Sequence, residues 1–182
     1  MTRFLKWTFF IILILGVLGY FAFQRMKQQT KQASPEETVS LQMDSLLIEI
    51  TYSRPFKKGR DIFGGLVPYR QVWRTGANEA TTFTTNQDLI IGGNALPAGE
   101  YTLWTIPRME DWAVIFNGKE YLWGVDRQGN ASRDPEADVL TVDVPVTELR
   151  DTVQQFTIRF GERPPRMIME WDLVQVAVPI DR

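Results

Sequence analysis

The sequence predicts an all-β domain, a single β-sandwich or partly closed barrel of about eight strands, preceded by one transmembrane α-helix. Three observations carry that reading. An uncharged apolar run lies near the N-terminus, a hydrophobic period of two runs through most of the remaining chain, and turn residues recur every 8 to 12 positions. Composition narrows the chemistry. None of the 182 residues is Cys or His, which excludes Ser-His-Asp and Cys-His catalysis, the common His-based zinc and iron sites, thiolate chemistry and iron–sulfur clusters. No cofactor and no metal is implied. Without Cys the membrane anchor cannot be a lipidated N-terminal cysteine.

From Trp7 to Phe23 every residue is uncharged and nearly all are apolar, a run of 17 positions. At about 1.5 Å each these cover roughly 26 Å, close to the roughly 30 Å hydrocarbon core once Arg3, Lys6, Arg25 and Lys27 snorkel outward. Trp7 and Tyr20 stand near its ends, where amphipathic rings favour the interface. The run closes on Tyr20-Phe21-Ala22-Phe23, bulky and without the small-residue pattern of a leader cleavage site, so residues 1–23 read as a retained anchor. Basic residues balance on its two sides, so charge alone does not orient it.

Residues 24–44 are polar, with helix formers up to Ala33 and then Ser34-Pro35, and read as a linker out of the membrane. Residues 45–182 form the β domain. Through Asp44 the net charge is +2 and the remainder carries -4, so the domain has no electrostatic footprint for nucleic acid.

Within the domain Ile48, Ile50 and Tyr52 alternate with polar residues, and further strand-like runs cover Ala80 to Thr85, Leu89 to Ile91, the residues around Leu103, Trp112 to Phe116, Val139 to Val146, Phe156 to Phe160 and Met167 to Val178. Gly92-Gly93-Asn94, Pro97-Ala98-Gly99, Ile106-Pro107, Asn117-Gly118 and Gly161 to Pro165 separate them. The last run changes phase, which places a bulge near Leu173. Short helical turns fit Val146 to Thr152. Gly92-Gly93 reads as a hairpin and not a phosphate loop, because no helix comes after it.

Between the first strand and the next lies the segment from Tyr52 to Thr81, dense in Arg, aromatic residues and Gly. Tyr52-Ser53-Arg54-Pro55, Lys58-Gly59-Arg60, Leu66-Val67-Pro68-Tyr69 and above all Val72-Trp73-Arg74-Thr75-Gly76-Ala77-Asn78-Glu79-Ala80-Thr81 stand in it. With Leu96-Pro97-Ala98-Gly99-Glu100-Tyr101, Thr105-Ile106-Pro107, Trp112, Val114-Ile115-Phe116-Asn117, Trp123-Gly124 and the closing Val176-Ala177-Val178-Pro179, these motifs resemble a bacterial envelope family, domain of unknown function 2911. The resemblance spans about Ser45 to Ile180. It implies an exported domain, hence a single-pass protein of the bacterial inner membrane with its β domain on the extracytoplasmic side. It brings no catalytic residue with it.

Seven residues of the segment are candidate ligand contacts. Arg54, Arg60 and Arg74 supply planar bidentate donors for carboxylate or phosphate, Asn78 adds a donor and an acceptor, Tyr69 and Trp73 offer stacking faces, and Glu79 supplies a carboxylate. The alternative is a structural one, with Arg74 paired to Glu79 or to another acid to satisfy a buried loop. Weaker candidates are Asp126, Asn130, Asp134, Glu136 and Asp138 as a calcium loop lacking EF-hand spacing, and Trp104, Trp112, Trp123 and Trp171 as a carbohydrate platform, although Trp in alternating strands is more often core.

The leading functional reading is a non-catalytic binding or structural module, held in the membrane by residues 7–23, for a small anionic or sugar-like ligand. One alternative is a carboxylate-based hydrolase of glycans using Glu79 and a second acid. Another is an accessory subunit of a membrane complex. No protein partner can be named from the residues.

Overall fold

A computed structural model describes residues 3–182; the first two residues of the expected anchor lie outside it. The chain divides into two units, residues 1–33 and 34–182. The first is one helix, α1 (Arg3–Ala33). At about 1.5 Å per residue its 31 residues make a rod of about 46 Å. From Lys6 onward it is long and apolar enough to cross a membrane. Helix is the form a single apolar segment takes in lipid, since every backbone N–H and C=O is then satisfied within the segment. Lys31 in the last turn complements the negative end of the helix dipole. Pro35 ends the run by disfavouring helical geometry at the residue before it.

The second unit begins at Ser34, earlier than the Ser45 expected from the sequence. Strand β1 (Glu36–Met43) occupies the second half of the expected linker and pairs along its whole length with β2 (Leu46–Ser53), from Glu36 opposite Ser53 to Met43 opposite Leu46. Asp44 closes the hairpin at φ 54. The strand is illegible in the sequence because it lies at a sheet edge with one face in water. Thr38, Ser40 and Gln42 are exposed, and the inward side shows only Glu37, Val39, Leu41 and Met43.

The remaining strands are β3 (Thr81–Thr85), β4 (Leu89–Ile91), β5 (Asn94–Leu96), β6 (Gly99–Pro107), β7 (Asp111–Asn117), β8 (Asp138–Glu162) and β9 (Pro165–Asp181). All nine form one antiparallel sheet in the order β1-β2-β3-β6-β7-β8-β9-β4-β5. Gly92 and Gly93, both at positive φ, turn β4 into β5 as the sequence indicated. The first part of β8 pairs with β7 and the rest with β9. The expected bulge is present: pairing slips between Glu148 and Val153 and again before Thr157, opposite residues 170–174, and Asp172 takes φ 56. Helical turns at Val146 to Thr152 do not form, because that stretch is the irregular middle of β8.

The sheet curls until β2 reaches β8. The Tyr52 hydroxyl accepts from Ile158 N–H at 2.8 Å and donates towards Ile158 C=O and the Glu37 carboxylate. Inside the curl Tyr52, Trp73, Trp112, Phe156 and Trp171 are buried together, with Trp73 and Trp171 nearly parallel at 6.0 Å and Phe63 edge-on to Trp73. The outer face of β6 and β7 is covered as well. Trp104, Ile115 and Ala80 form a second cluster under Val72, Ile106, Tyr121 and Ala131. Both faces being buried explains why Trp112 to Phe116 of β7 form a continuous apolar run. The covering residues Val72, Tyr121 and Ala131 come from the two long loops of the domain, 54–80 and 118–137.

Candidate functional site

The first of these loops is pinned at both ends. On one side Arg54 crosses to β1 and β8: its guanidinium pairs with Glu37 at 2.8 Å and donates to Phe156 C=O at 3.1 Å and to the Thr157 hydroxyl at 2.8 Å. Lys57 forms an ion pair with Asp172 at the bulge. Arg60, exposed, donates to the carbonyls of Phe56 and Lys57 and so closes its own turn. Arg54 and Arg60 are therefore engaged by the protein itself.

At the other end, Trp73 exchanges backbone hydrogen bonds with Thr105 of β6, at 2.7 and 2.9 Å. Its indole N–H donates to Gly76 C=O at 3.0 Å. Thr75 is fully buried at φ 54, an uncommon conformation for a β-branched residue. It is held by its hydroxyl on that of Thr105 and by its carbonyl, which accepts from the Thr81 hydroxyl at 2.7 Å. Gly76 has no room for a side chain: a Cβ there would stand 2.8 Å from Ser53 C=O. Asn78, buried at φ 59, offers its carbonyl to Gly124 N–H at 3.0 Å. This dense fixing makes residues 73–81 a rigid element.

Arg74 projects from that element against the second loop. A Cβ on Gly124 would stand 2.2 Å from Arg74 Cδ and 2.8 Å from its Cβ, so the arginine stem lies flat on the glycine backbone. Among the described residues Arg74 makes no ion pair, and its Nε is sealed from solvent without a hydrogen-bond partner. Burial pulls its pKa down from the usual guanidinium value, with no carboxylate to offset it. The structural alternative, Arg74 paired with Glu79, does not appear among the ion pairs of the described residues. Arg74 instead lines a cavity of about 270 Å³ between the two loops, with Leu66, Val67, Pro68, Val72, Val125 and Ala131 as apolar walls and Gln71 as the neighbouring amide. A shallower cavity of about 370 Å³ shares Gln71, Val72, Gly129 and Ala131 and continues outward past Asn130 and Arg133.

The seven expected site residues thus do not converge. Glu79, partly buried, lines a separate cavity of about 170 Å³ with Glu36, Tyr52, Ser53, Thr82 and Tyr121. Trp73 is no open stacking face but a core residue. Tyr69 is partly exposed, its ring folded over Gly64, where an added Cβ would be 2.8 Å away. Residue type alone does not mark the cavity walls Leu66 to Val72 and Val125 to Ala131 as contacts. Leu66-Val67-Pro68 and Trp123-Gly124 are nevertheless visible as motifs, and they supply the wall and the glycine that positions Arg74.

The acidic loop is occupied with itself. Asp126 accepts from the backbone of Gln128 and Asn130, and these bonds, with the Asn130 side chain foremost, hold its carboxyl below the usual range. Asp134 caps the short 3₁₀ turn Pro135–Ala137 and pairs with Lys119, while Asp138 pairs with Arg133. No group of three potential metal ligands clusters among the described residues. Trp104, Trp112 and Trp171 are buried and offer no platform; Trp123 is partly buried.

Fold and cavity together define a class: a curled nine-stranded antiparallel β domain, preceded by a helix able to span a membrane, in which two loops enclose one arginine without a carboxylate partner among the described residues. Residues 34–180 match the family described as protein of unknown function, DUF2911, and the chain belongs to that family. No curated protein and no solved structure matches the chain.

Proposed function

We propose that the protein is a membrane-tethered, non-catalytic binding module of the bacterial envelope, its β domain on the extracytoplasmic side of the inner membrane, that takes a small anionic ligand at Arg74. The observation that carries this reading is Arg74, whose Nε is sealed from solvent without a hydrogen-bond partner, which has no acidic partner among the described residues and which lines a cavity. A cation in that setting is costly to the fold and is best satisfied by an anion from outside. Its fixed stem reduces the ordering cost of binding. A sugar-like ligand has less support, because Trp73 stacks inside the core.

The test is thermal unfolding of the full chain in detergent across a panel of anions, for wild type and Arg74→Ala. An anion that raises the melting temperature of the wild type and leaves Arg74→Ala unmoved supports the reading. A wild type unmoved by every anion removes it. Export is tested separately by protease added outside the inner membrane, which must cleave the β domain.

Glu36 and Glu79 lining one cavity with Tyr52 and Tyr121 favours the hydrolase as the second reading. It requires that Glu79→Gln abolish a glycan-cleaving activity while leaving folding intact.

A further inference from the structure

We infer that the Arg74 cavity selects a single carboxylate carried on an apolar body, such as a branched short-chain acid or the free C-terminus of an apolar peptide. This deepens the anion-binding reading and rests on it.

Charge count comes first. Among the described residues, Arg74 is the only ionisable one lining the inner cavity. Arg133, on the outer continuation, is already paired with Asp138 and also bonded to it through Nε at 2.9 Å. One available guanidinium matches one negative charge. Its planar fork suits the two oxygens of a carboxylate, whereas a dianionic phosphate would call for a second cation, and the inner lining holds none among the described residues.

The walls come second. Leu66, Val67, Pro68, Val72, Val125 and Ala131 provide no side-chain hydrogen bond, so a hydroxyl-rich ligand would leave its groups unsatisfied there. An apolar body would bury surface against these walls and lower the dielectric around the ion pair, strengthening it. Gln71, exposed at the junction of the two cavities, is placed to meet an amide beside the carboxylate. Size is consistent. The inner cavity holds about nine water volumes, and with its continuation the space falls within the range for small-ligand sites.

The experiment is isothermal titration of the full chain in nanodiscs with paired probes: 4-methylvalerate and its amide, and N-acetyl-Val-Ala-Leu as free acid and as amide. Acetate, inorganic phosphate and glucuronate complete the set. At least one apolar acid is expected to bind about 10- to 100-fold more tightly than its amide twin, the range of a charge-assisted pair. Arg74→Gln, first shown by thermal unfolding to be folded, is expected to abolish the difference. Whichever acid binds better, free or peptide, identifies the source. An amide that binds as well as its acid overturns the inference. So does Arg74-dependent binding of phosphate or glucuronate without the apolar acids, which would leave the anion site standing but its ligand class wrong. Failure of every anion to bind wild type would remove both.

Discussion

Arg54 and Arg74 stand 20 positions apart in one segment and look equivalent as sequence. Tertiary structure gives them opposite fates. Arg54 lands between Glu37 and the backbone of β8 and commits its donors to closing the curled sheet. Arg74 lands between two loops, on a glycine and against apolar walls, with no carboxylate among the described residues. The lesson is that the role of an arginine follows from what its neighbours in space supply. An arginine held by acceptors is a staple, and one deprived of them is left with donors that the fold does not use.

That contrast can be broken in graded ways. Trp73 separates core from cavity, so Trp73→Ala is expected to cost about 3–5 kcal/mol in chemical denaturation. A loss below about 1 kcal/mol would mean that the aromatic cluster does not organise the loop. Arg54→Met removes one ion pair and two further hydrogen bonds at a half-buried site and is expected to cost about 2–3 kcal/mol. Equal stability to wild type would reduce the staple to a surface pair.

Gly124→Ala drives a methyl into the Arg74 stem and is expected to cost about 2 kcal/mol. Because the clash is with Arg74, the double variant with Arg74→Ala should recover most of that loss. A double variant no better than Gly124→Ala would place the arginine elsewhere.

Tyr52→Phe, which removes the hydroxyl bonded to Ile158, is expected to cost about 1–2 kcal/mol at neutral pH. It also carries a pH signature. Burial, the largest influence, raises the Tyr52 phenol above its ordinary 10.0. The folded state therefore keeps its proton longer than the unfolded chain, so the contribution is whole below pH 10 and declines as pH rises towards the folded value. Wild type should lose stability above pH 10 more steeply than Tyr52→Phe in parallel melts; identical slopes would remove this account. The smallest effect is expected at Arg74→Met, within about 0.5 kcal/mol of wild type or slightly more stable, because it deletes a desolvated charge that no carboxylate offsets. A loss matching that of Arg54→Met would make the two arginines alike after all.

Residue order alone suffices for what is local. The apolar run makes α1, whose span depends only on hydrophobicity and length. The period of two makes the strands from Ile48 to Val178, and Gly92-Gly93 makes the β4–β5 turn, because these arise from side-chain alternation and the conformational freedom of glycine. The phase change near Leu173 produces the bulge for the same reason. Only the closed fold brings Glu36–Met43 into the sheet, since a half-solvated edge strand carries only half a hydrophobic signal. Only the closed fold separates Glu79 from Arg74 into different cavities and hands Arg54, but not Arg74, its carboxylate. The partners of Arg54 on β8 lie 102 and 103 positions away along the chain. Whether a guanidinium is satisfied depends on which distant acceptors the closing sheet brings within hydrogen-bonding reach, and no local pattern of residues encodes that distance.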